Sequence, residues 1–248
     1  MKEQIEKDKI YNCDCLEGMK HIPNASIDAI ICDLPYGTTA NKWDSIIPLD
    51  LLWEQYKRII KKGAPIVLFG SEPFSTSLRM SNMAWYKYDW IWKKSQGADF
   101  IHANQRPLKI HEIISVFCEQ AAPYHPQGLR ACHKVKSNAN KHGNVHRDWN
   151  HEDSYVAEWE NYPTTLLEFG NDGDGFHPTQ KPVDLLRYLI RTYSNEGDTI
   201  LDNCMGSGTT AVACIKEKRH FIGFELNKDY YDKACRRIDA ERRQLSLF

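Results

Sequence analysis

The chain has 248 residues, a formal net charge of −1 and 42% hydrophobic residues, so it can bury a core and is not basic overall. Its eight cysteines show no C-x-x-C spacing, and several lie inside apolar runs, which favours a reduced, intracellular protein over a disulfide-stabilised one. No stretch approaches the roughly 18 apolar residues of a membrane-spanning helix, and the N-terminus lacks an apolar signal segment. We therefore expect a cytoplasmic protein with no membrane partner.

Short apolar runs alternate with segments of helical periodicity along the chain, an order typical of a parallel sheet covered by helices on both faces. The predicted strands are residues 28–32, 64–70, 198–202 and 220–225. The predicted helices are residues 49–62, 181–194 and 228–243. Residues 87–94 and 111–119 are predicted as further strands in an antiparallel part of the same sheet. The fold class is therefore α/β.

Two segments interrupt this pattern, residues 95–109 and the longer, polar and His-rich span 120–176. A long irregular stretch inside a compact domain is more often a functional insertion than a packing element. Between residues 123 and 150 it carries five Lys or Arg against one acid, plus four histidines, so it could face a polyanion. The histidines have no C-x-x-C partner, and we expect no metal site.

A glycine-rich turn follows the predicted strand at 198–202. Gly206 and Gly208 lie between that strand and a predicted helix, and the next strand ends at Glu225, 23 residues after Asp202. At about this spacing a carboxylate meets ribose hydroxyls in nucleotide-binding βαβ units. The third glycine of G-x-G-x-x-G is missing, so a pyrophosphate site is less well supported. S-adenosylmethionine therefore fits the turn better than NAD.

The stretch CDLPYG, residues 32–37, directly follows the first buried strand. Pro35 fixes its own φ and Gly37 frees the exit, so the stretch could be only a tight turn. It could also place the carboxylate of Asp33, the carbonyl of Leu34 and the ring of Tyr36 around one substrate.

Three motifs together, CDLPYG, HPTQKP (177–182) and LDNCMGSGTT (201–210), resemble the β group of DNA amino-methyltransferases, the permuted enzymes of phage or restriction-modification type. In that family the catalytic motif precedes the cofactor motif, as it does here. The resemblance covers about residues 1–118 and 177–243. It implies a circularly permuted, Rossmann-like S-adenosylmethionine-dependent methyltransferase sheet with an inserted target-recognition region.

The implied parts of the chain are a catalytic half at 1–119, a target-recognition insertion at 120–176 and a cofactor-binding half at 177–248. The permutation also implies that the N-terminal KIYNCD is the strand that comes after the helix following Glu225, so that both chain ends meet in mid-sheet and Asp14 falls beside the cofactor. Two departures from the family pattern are Leu34, which replaces a proline but keeps its carbonyl, and Asn203-Cys204, which replaces Pro-Phe.

The resemblance assigns site residues position by position. The implied catalytic residues are Asp33, Leu34, Pro35 and Tyr36. The implied cofactor-binding residues are Asp14, Cys15, Thr179, Lys181, Asp202, Asn203, Cys204, Gly206, Ser207, Gly208, Thr209, Thr210 and Glu225. The residues expected to contact DNA are Lys42, Trp43, Arg130, Lys134, Lys136 and Arg147. Within the cofactor set, Asp14 is read as an adenine contact or as a helix N-cap, and Thr179 and Lys181 as partners of the cofactor's carboxylate.

The implied reaction moves a methyl group from S-adenosylmethionine to the exocyclic N6 of an adenine that is flipped out of double-stranded DNA. Asp33 and the Leu34 carbonyl would accept N–H groups of the amine, and Tyr36 would stack on the base. N4 of cytosine is the alternative target, although Asp at the start of the motif favours adenine. A separate cognate endonuclease and a homodimer are further partners to consider.

Two interpretations from other classes explain less of the sequence. A dinucleotide-dependent oxidoreductase would account for the glycine turn and Glu225 but not for CDLPYG. A non-enzymatic DNA-binding module would account only for the basic insertion. Protein-glutamine methyltransferases place the cofactor turn first, so the motif order counts against them.

Overall fold

A computed structural model of the chain describes residues 5–37, 45–137, 154–170 and 180–245. The chain divides into two compact units, one formed by residues 1–125 and 165–248 and the other by residues 126–164. The smaller unit falls inside the span 120–176 that the sequence assigns to target recognition. Within the described residues, no helix is both long and apolar enough to cross a membrane.

Eight of the described strands form one mixed sheet in the larger unit. Their bounds are Lys9–Tyr11 (β1), Ala29–Asp33 (β2), Ile66–Gly70 (β3), Tyr86–Ala98 (β4), Lys109–Phe117 (β5), Leu166–Glu168 (β8), Thr199–Asp202 (β9) and His220–Phe224 (β10). The order across the sheet is β1-β10-β9-β2-β3-β5-β4-β8. The five strands β1, β10, β9, β2 and β3 pair with their neighbours in parallel. Strand β5 is antiparallel to both β3 and β4. The predicted α/β class and its antiparallel strands are confirmed.

Six α-helices lie in the described part of the chain. They are Cys15–Met19 (α1), Leu49–Ile59 (α2), Phe74–Ser81 (α3), Val183–Tyr193 (α4), Thr209–Lys216 (α5) and Lys228–Leu245 (α6), and a short 3-10 turn covers Phe100–His102. The helices predicted at 49–62, 181–194 and 228–243 are present with shifted ends. Helix α4 begins after Pro182, which is its N-cap residue, so Lys181 lies outside the helix. Helix α3 was not predicted.

The sheet has an apolar layer on each face, because successive residues of a strand point to opposite sides. Ile31 of β2 packs in the layer that contains Leu185 and Leu189 of α4. Its neighbour Ile30 packs in the layer that contains Leu52 and Tyr56 of α2. Both layers are buried, so the edge formed by the strand ends is held between helices on two sides.

The N-terminal strand is the next strand of the sheet after the one that precedes Glu225, which is the position that the permutation implies. Lys9 is in register with Ile222, and Tyr11 with Phe224, in a parallel ladder. The expectation that the chain ends meet in mid-sheet is wrong, because β1 is the edge strand of the described sheet. The reason is that β9 already occupies the other side of β10, which leaves β1 only the outer position.

The two segments expected to be irregular contain strands. β4 continues to Ala98, and the span 120–176 contains β8 and the two strands of the smaller unit, Arg130–Ser137 (β6) and Ser154–Glu160 (β7). β6 and β7 pair antiparallel with a register irregularity after Ala131. Most described residues of this hairpin are exposed, so its strands carry polar groups on both faces and show no apolar alternation. The sequence prediction missed β6 and β7 for this reason.

Candidate active site

Asp33 and Asp202 end two neighbouring parallel strands. Asp33 is the last residue of β2 and Asp202 the last of β9, and the register pairs Ile30 with Leu201. The carboxyl ends of the strands therefore meet at one edge, which is where open α/β sheets bind ligands. A single cavity at this edge is lined by both aspartates. Its other lining residues include Phe69, Gln180, Lys181, Cys204, Gly206 and Thr209.

The Asp33 carboxylate is held by two side chains. Its Oδ2 lies 2.5 Å from Nζ of Lys181, and its Oδ1 accepts a hydrogen bond of 2.5 Å from the hydroxyl of Tyr36. The Tyr36 ring also stacks on Phe74, with 5.4 Å between ring centroids. The motif therefore brings its carboxylate and its aromatic ring together as predicted, and stacking of Tyr36 on a base stays a prediction.

Lys181 lines the same cavity as the glycine turn and is bound there by carboxylates of the protein. Its Nζ is bound by two carboxylates, Asp33 at 2.5 Å and Glu112 at 3.2 Å, and its side chain is 8% exposed. Lys181 precedes α4 and points to the strand ends, where Asp33 and Glu112 balance its charge inside the protein. The contact between this ammonium and the cofactor's carboxylate stays a prediction.

Glu112 is a site residue that sequence reasoning missed. It lies on β5 and is 8% exposed, its Oε1 pairs with Lys94, and its Oε2 lies 3.4 Å from the Tyr36 hydroxyl. Its position in the strand could have pointed to it, because Glu112 lies on the same strand face as the buried Ile114 and Val116. A charged residue on an apolar face is rarely buried unless it has a partner.

Burial and charge together set the protonation of this group. Burial acts to lower the pKa of Lys181, but the charges of Asp33 and Glu112 outweigh it and raise the pKa above its usual value. Burial raises the pKa of Tyr36, and the same two carboxylates raise it further. Burial also acts to raise the pKa of Glu112, yet Lys181 and Lys94 hold it below its usual value. Near neutral pH, Lys181 is charged, Glu112 is ionised and Tyr36 keeps its proton.

Asp202 holds the glycine turn from inside. Its Oδ2 accepts a hydrogen bond of 2.5 Å from the Thr210 hydroxyl, and its Oδ1 accepts one of 3.0 Å from the backbone N–H of Cys204. The residue is 3% exposed, and burial raises the pKa of its carboxyl to about 6. Asp202 thus stabilises the turn as well as lining the cavity.

The two positions of the turn require glycine for different structural reasons. Gly206 has a φ of 54° and its N–H donates to Oε2 of Glu225 at 2.8 Å. Gly208 has a φ of 81° and is the N-cap of α5, and a Cβ there would lie 3.1 Å from Cβ of Ala234. A side chain at either position would strain the backbone, so the turn depends on glycine.

The polar residues of the turn are tied to neighbouring helices. Arg237 of α6 donates to the hydroxyl of Thr209 at 3.0 Å, and the hydroxyl of Ser207 donates to the side chain of Gln180 at 3.1 Å. The side chain of Asn203 accepts a buried hydrogen bond from the hydroxyl of Tyr56. Arg237 and Tyr56 had no motif of their own in the sequence, and Gln180 belongs to HPTQKP but was not assigned a role.

Glu225 follows β10 and closes the turn from the other side. Besides Gly206, its carboxylate accepts a hydrogen bond of 2.7 Å from the N–H of Asn227. Burial raises the pKa of this carboxyl. Glu225 is therefore brought to the turn as its spacing from Asp202 predicts.

Asp14 and Cys15 stand at the start of α1. Oδ1 of Asp14 accepts hydrogen bonds from the N–H groups of Leu16 and Glu17, at 2.9 and 3.1 Å, which confirms the N-cap interpretation. Nδ2 of Asn203 lies 3.7 Å from Sγ of Cys15 and 3.5 Å from Sγ of Cys204. Helix α1 is thus attached to the glycine turn, and the adenine contact of Asp14 stays a prediction.

Leu34 fills the position of the family's first proline with a packed side chain. It is 3% exposed and lies in the apolar layer that contains Leu52 and Tyr56. The substitution therefore adds core packing and retains the backbone carbonyl. The roles assigned to the Leu34 carbonyl and to Pro35 stay predictions.

The predicted DNA contacts lie largely outside the described residues. These are Lys42, Trp43 and Arg147, together with the side chain of Lys136, and the cofactor residue Thr179 is outside as well. Arg130 and Lys134 are exposed on β6. Lys134 forms an ion pair of 2.6 Å with Glu160 of β7, so part of the basic charge counted in the insertion is compensated. In the described parts of the chain, no group of three or more His, Cys, Asp or Glu side chains is placed to hold a metal ion.

Comparisons with known proteins agree with this geometry. The chain is 28% identical over 255 residues to the DNA adenine methyltransferase YhdJ of Escherichia coli (strain K12), covering 95% of this chain and 84% of that protein. Among solved structures, the M1.HpyAVI complex with SAM has a TM-score of 0.62 and 24% identity, covering 92% of this chain and 98% of the other.

A second solved structure, the cytosine-N4-specific PvuII DNA methyltransferase, has a TM-score of 0.66 and 16% identity, covering 94% of this chain and 86% of the other. These likenesses confirm the Rossmann-like methyltransferase fold. A family model described as DNA methylase, for N6 and N4 methyltransferases, matches residues 27–236. The dinucleotide-dependent oxidoreductase and the non-enzymatic DNA-binding module are therefore wrong interpretations. Because the matched region spans most of the chain, this protein belongs to the N6/N4 family of DNA methylases.

Proposed function

We propose that this DNA methylase transfers a methyl group from S-adenosylmethionine to the exocyclic N6 of a flipped-out adenine in double-stranded DNA. The observation that carries the proposal is that Asp33, from the catalytic motif, and Gly206, from the cofactor turn, line one cavity. A methyl donor held by the turn and an amine held by Asp33 would then face each other across a short distance.

The residues present suit S-adenosylmethionine better than a dinucleotide. Asp202 lines the cavity and Glu225 closes the turn beside it, so the turn is flanked by carboxylates, while the Lys181 ammonium pairs with Asp33. A cationic sulfonium is compatible with such a site, whereas a pyrophosphate would be repelled. Glu225 lies where a carboxylate meets ribose hydroxyls, and it is oriented by the N–H groups of Gly206 and Asn227. When bound, the cofactor supplies an electrophilic methyl group.

The catalytic motif acts on the nucleophile. The lone pair of an exocyclic amine is delocalised into the base, which makes the amine a poor nucleophile. Hydrogen bonds to its two N–H groups can turn the lone pair out of the ring plane, and the amine then becomes reactive. Asp33 and the Leu34 carbonyl would accept the two N–H groups, and the carboxylate would stabilise the positive charge that develops on nitrogen. Pro35 limits the backbone freedom of the motif, and Tyr36 fixes Asp33 through its hydroxyl. Catalysis then rests on holding the reacting atoms about 3–3.5 Å apart.

The choice of adenine rests on two supports. The relative YhdJ is named as an adenine enzyme, and the motif resemblance associates Asp at the first position with adenine. The fold does not decide the base, because the N4-specific PvuII enzyme shares it. The named relative and Asp33 therefore support adenine, and methylation of cytosine N4 would contradict that assignment.

The DNA-binding part of the proposal concerns residues 120–176 and the loop around Lys42 and Trp43. Arg130, Lys134, Lys136 and Arg147 would contact phosphates, and Trp43 would stack beside the flipped base. A cytoplasmic location belongs to the proposal as well, since DNA is the substrate. Pairing with a separate cognate endonuclease and formation of a homodimer extend it further.

The experiment combines product analysis with ligand binding. The purified protein is incubated with isotopically labelled S-adenosylmethionine and genomic DNA, and the methylated nucleosides are separated and identified. We expect N6-methyladenine in a defined sequence context. N4-methylcytosine would move the target to the alternative base, and the absence of any methylated base would contradict the proposal. In parallel, S-adenosylhomocysteine but not NAD is expected to raise the melting temperature.

A further inference from the structure

Lys181 lies between two acidic side chains that belong to different strands. Its Nζ is 2.5 Å from Asp33 on β2 and 3.2 Å from Glu112 on β5. The other oxygen of Glu112 pairs with Lys94. Within the described residues these are the two carboxylates bound to Lys181, so the two acids and the two lysines form one balanced, largely buried group.

This arrangement sets two demands on Asp33 that oppose each other. To bind the target amine, Asp33 must accept an N–H and stabilise a positive charge that develops on nitrogen. An ammonium 2.5 Å away already neutralises the same carboxylate and repels that developing charge. Lys181 therefore has to be held elsewhere at the moment when Asp33 acts on the amine.

Glu112 is the group that can hold it. Its Oε2 is 0.7 Å farther from Nζ than Oδ2 of Asp33 is, so a small movement of the flexible lysine transfers the contact. Glu112 is itself fixed by Lys94 and approached by the Tyr36 hydroxyl at 3.4 Å, and it is 8% exposed. A buried carboxylate needs such partners, and replacing a buried ion pair by apolar residues often does not reduce stability. Stability alone is therefore a weak reason for a glutamate at this position.

We propose that Glu112 is a positioning residue for methyl transfer, which draws the Lys181 ammonium away from Asp33 so that Asp33 meets the target amine as a free carboxylate. This inference rests on the proposed function of Asp33. It assigns Glu112 no contact with the substrate, because Glu112 acts through Lys181.

The test compares Glu112→Gln with Glu217→Gln. Glu217 is a matched control, because its side chain has the same exposed fraction as that of Glu112, 10%, and is bound by two cations, Arg187 at 2.6 Å and Arg191 at 2.7 Å. Both variants lose a buried, doubly paired charge, but only Glu112 belongs to the group around Lys181. We expect Glu112→Gln to lower kcat about 10- to 100-fold, as for a misplaced reacting group, with binding of S-adenosylhomocysteine unchanged. Glu217→Gln should reduce the melting temperature and leave kcat unchanged.

A double variant and a variant that retains the charge separate positioning from simple stabilisation. If Glu112 acts through Lys181, adding Glu112→Gln to Lys181→Met causes no further loss of kcat. Glu112→Asp, which retains the charge, should retain most of the activity.

Three results would overturn the inference: normal kcat in Glu112→Gln, an equal loss in the presence and absence of Lys181, or a loss that matches that of Glu217→Gln. If Glu112→Gln does not fold, a low kcat in a folded Glu112→Asp, which retains the charge, would also overturn the inference. The activity of the wild-type protein distinguishes a failure of the inference about Glu112 from a failure of the proposed function. If it methylates adenine while these variants behave normally, only the role of Glu112 is lost, whereas an inactive wild type contradicts the proposed function itself.

Discussion

Asp33 and Asp202 occupy equivalent places in the fold but have different surroundings. Each is the last residue of a parallel strand, and the two strands are neighbours. Asp33 is 31% exposed and faces the Lys181 ammonium and the Tyr36 hydroxyl. Asp202 is 3% exposed and is bound by Thr210 and the N–H of Cys204, which carry no charge.

The difference shows how one sheet edge can serve two tasks. A carboxylate that is partly exposed and paired with a cation that a second carboxylate also binds can exchange partners, so Asp33 suits chemistry on an amine. A carboxylate that is buried among neutral donors keeps a fixed geometry. Burial disfavours its charged form and therefore raises its pKa. Asp202 therefore suits the positioning of the cofactor turn. The predictions that follow try to separate these two tasks, from the largest expected effect to the smallest.

The largest effect is expected at Asp33. Asp33→Asn keeps the size of the side chain but removes the charge that stabilises the developing cation. We expect the rate constant of a single turnover to fall by about 10³-fold or more, the range seen when an electrostatic group at the reacting centre is lost. Rapid-quench measurement of labelled methyl incorporated into DNA gives this rate. A loss of less than about tenfold would show that the Asp33 charge is not central to transfer.

The pH dependence of stability should report the buried charge of Asp202. Burial raises its pKa from 3.8 to about 6 in the folded protein, so the folded state binds the proton more tightly than the unfolded state does. The contribution of this group to the free energy of unfolding therefore falls as pH rises from about 4 to about 6, by at most about 3 kcal/mol. Above that window the loss is complete. Urea unfolding of wild type and Asp202→Asn across this range measures the difference, and a difference independent of pH would contradict the assignment.

Loss of the turn geometry should weaken cofactor binding. Asp202→Ala removes the acceptors of Thr210 and of the Cys204 N–H, and we expect the Kd of S-adenosylhomocysteine to rise about tenfold, as for the loss of about one net hydrogen bond. Asp28→Ala is the matched control. Asp28 accepts from the N–H of Thr199 and pairs with Lys61 at the opposite ends of the same strands. Calorimetry should show normal binding in this control, and equal losses in both variants would indicate a general effect on the sheet.

The smallest effect is expected at Leu34. Leu34→Pro restores the residue of the family motif and keeps the backbone carbonyl that would accept the amine. The smaller side chain leaves part of the apolar layer unfilled, so the melting temperature should fall. We expect kcat to change by no more than about threefold, since the acceptor is retained. A large change in steady-state kcat would show that the leucine side chain takes part in placing the base.

The sequence predicts the parts of this site that depend on local order along the chain. Asp33, the glycine turn and Glu225 each follow an apolar run, and parallel strands bring their carboxyl ends to one edge. The N-cap at Asp14 follows from the same local chemistry. Pairing across distant strands is different, because nothing local in HEIISVFCE or HPTQKP indicates that Glu112 and Lys181 meet at Asp33. The edge position of β1 and the hairpin of β6 and β7 were missed for related reasons, since they depend on which strands are already paired and on exposure.

The most direct test of the division between Asp33 and Asp202 is the affinity of Asp33→Ala for S-adenosylhomocysteine, measured by calorimetry on protein whose methyl transfer is assayed in parallel. If Asp33 acts on the target amine and the turn holds the cofactor, transfer is lost while Kd stays within about twofold of wild type. A Kd weakened as strongly as in Asp202→Ala, or transfer that persists, would contradict the account.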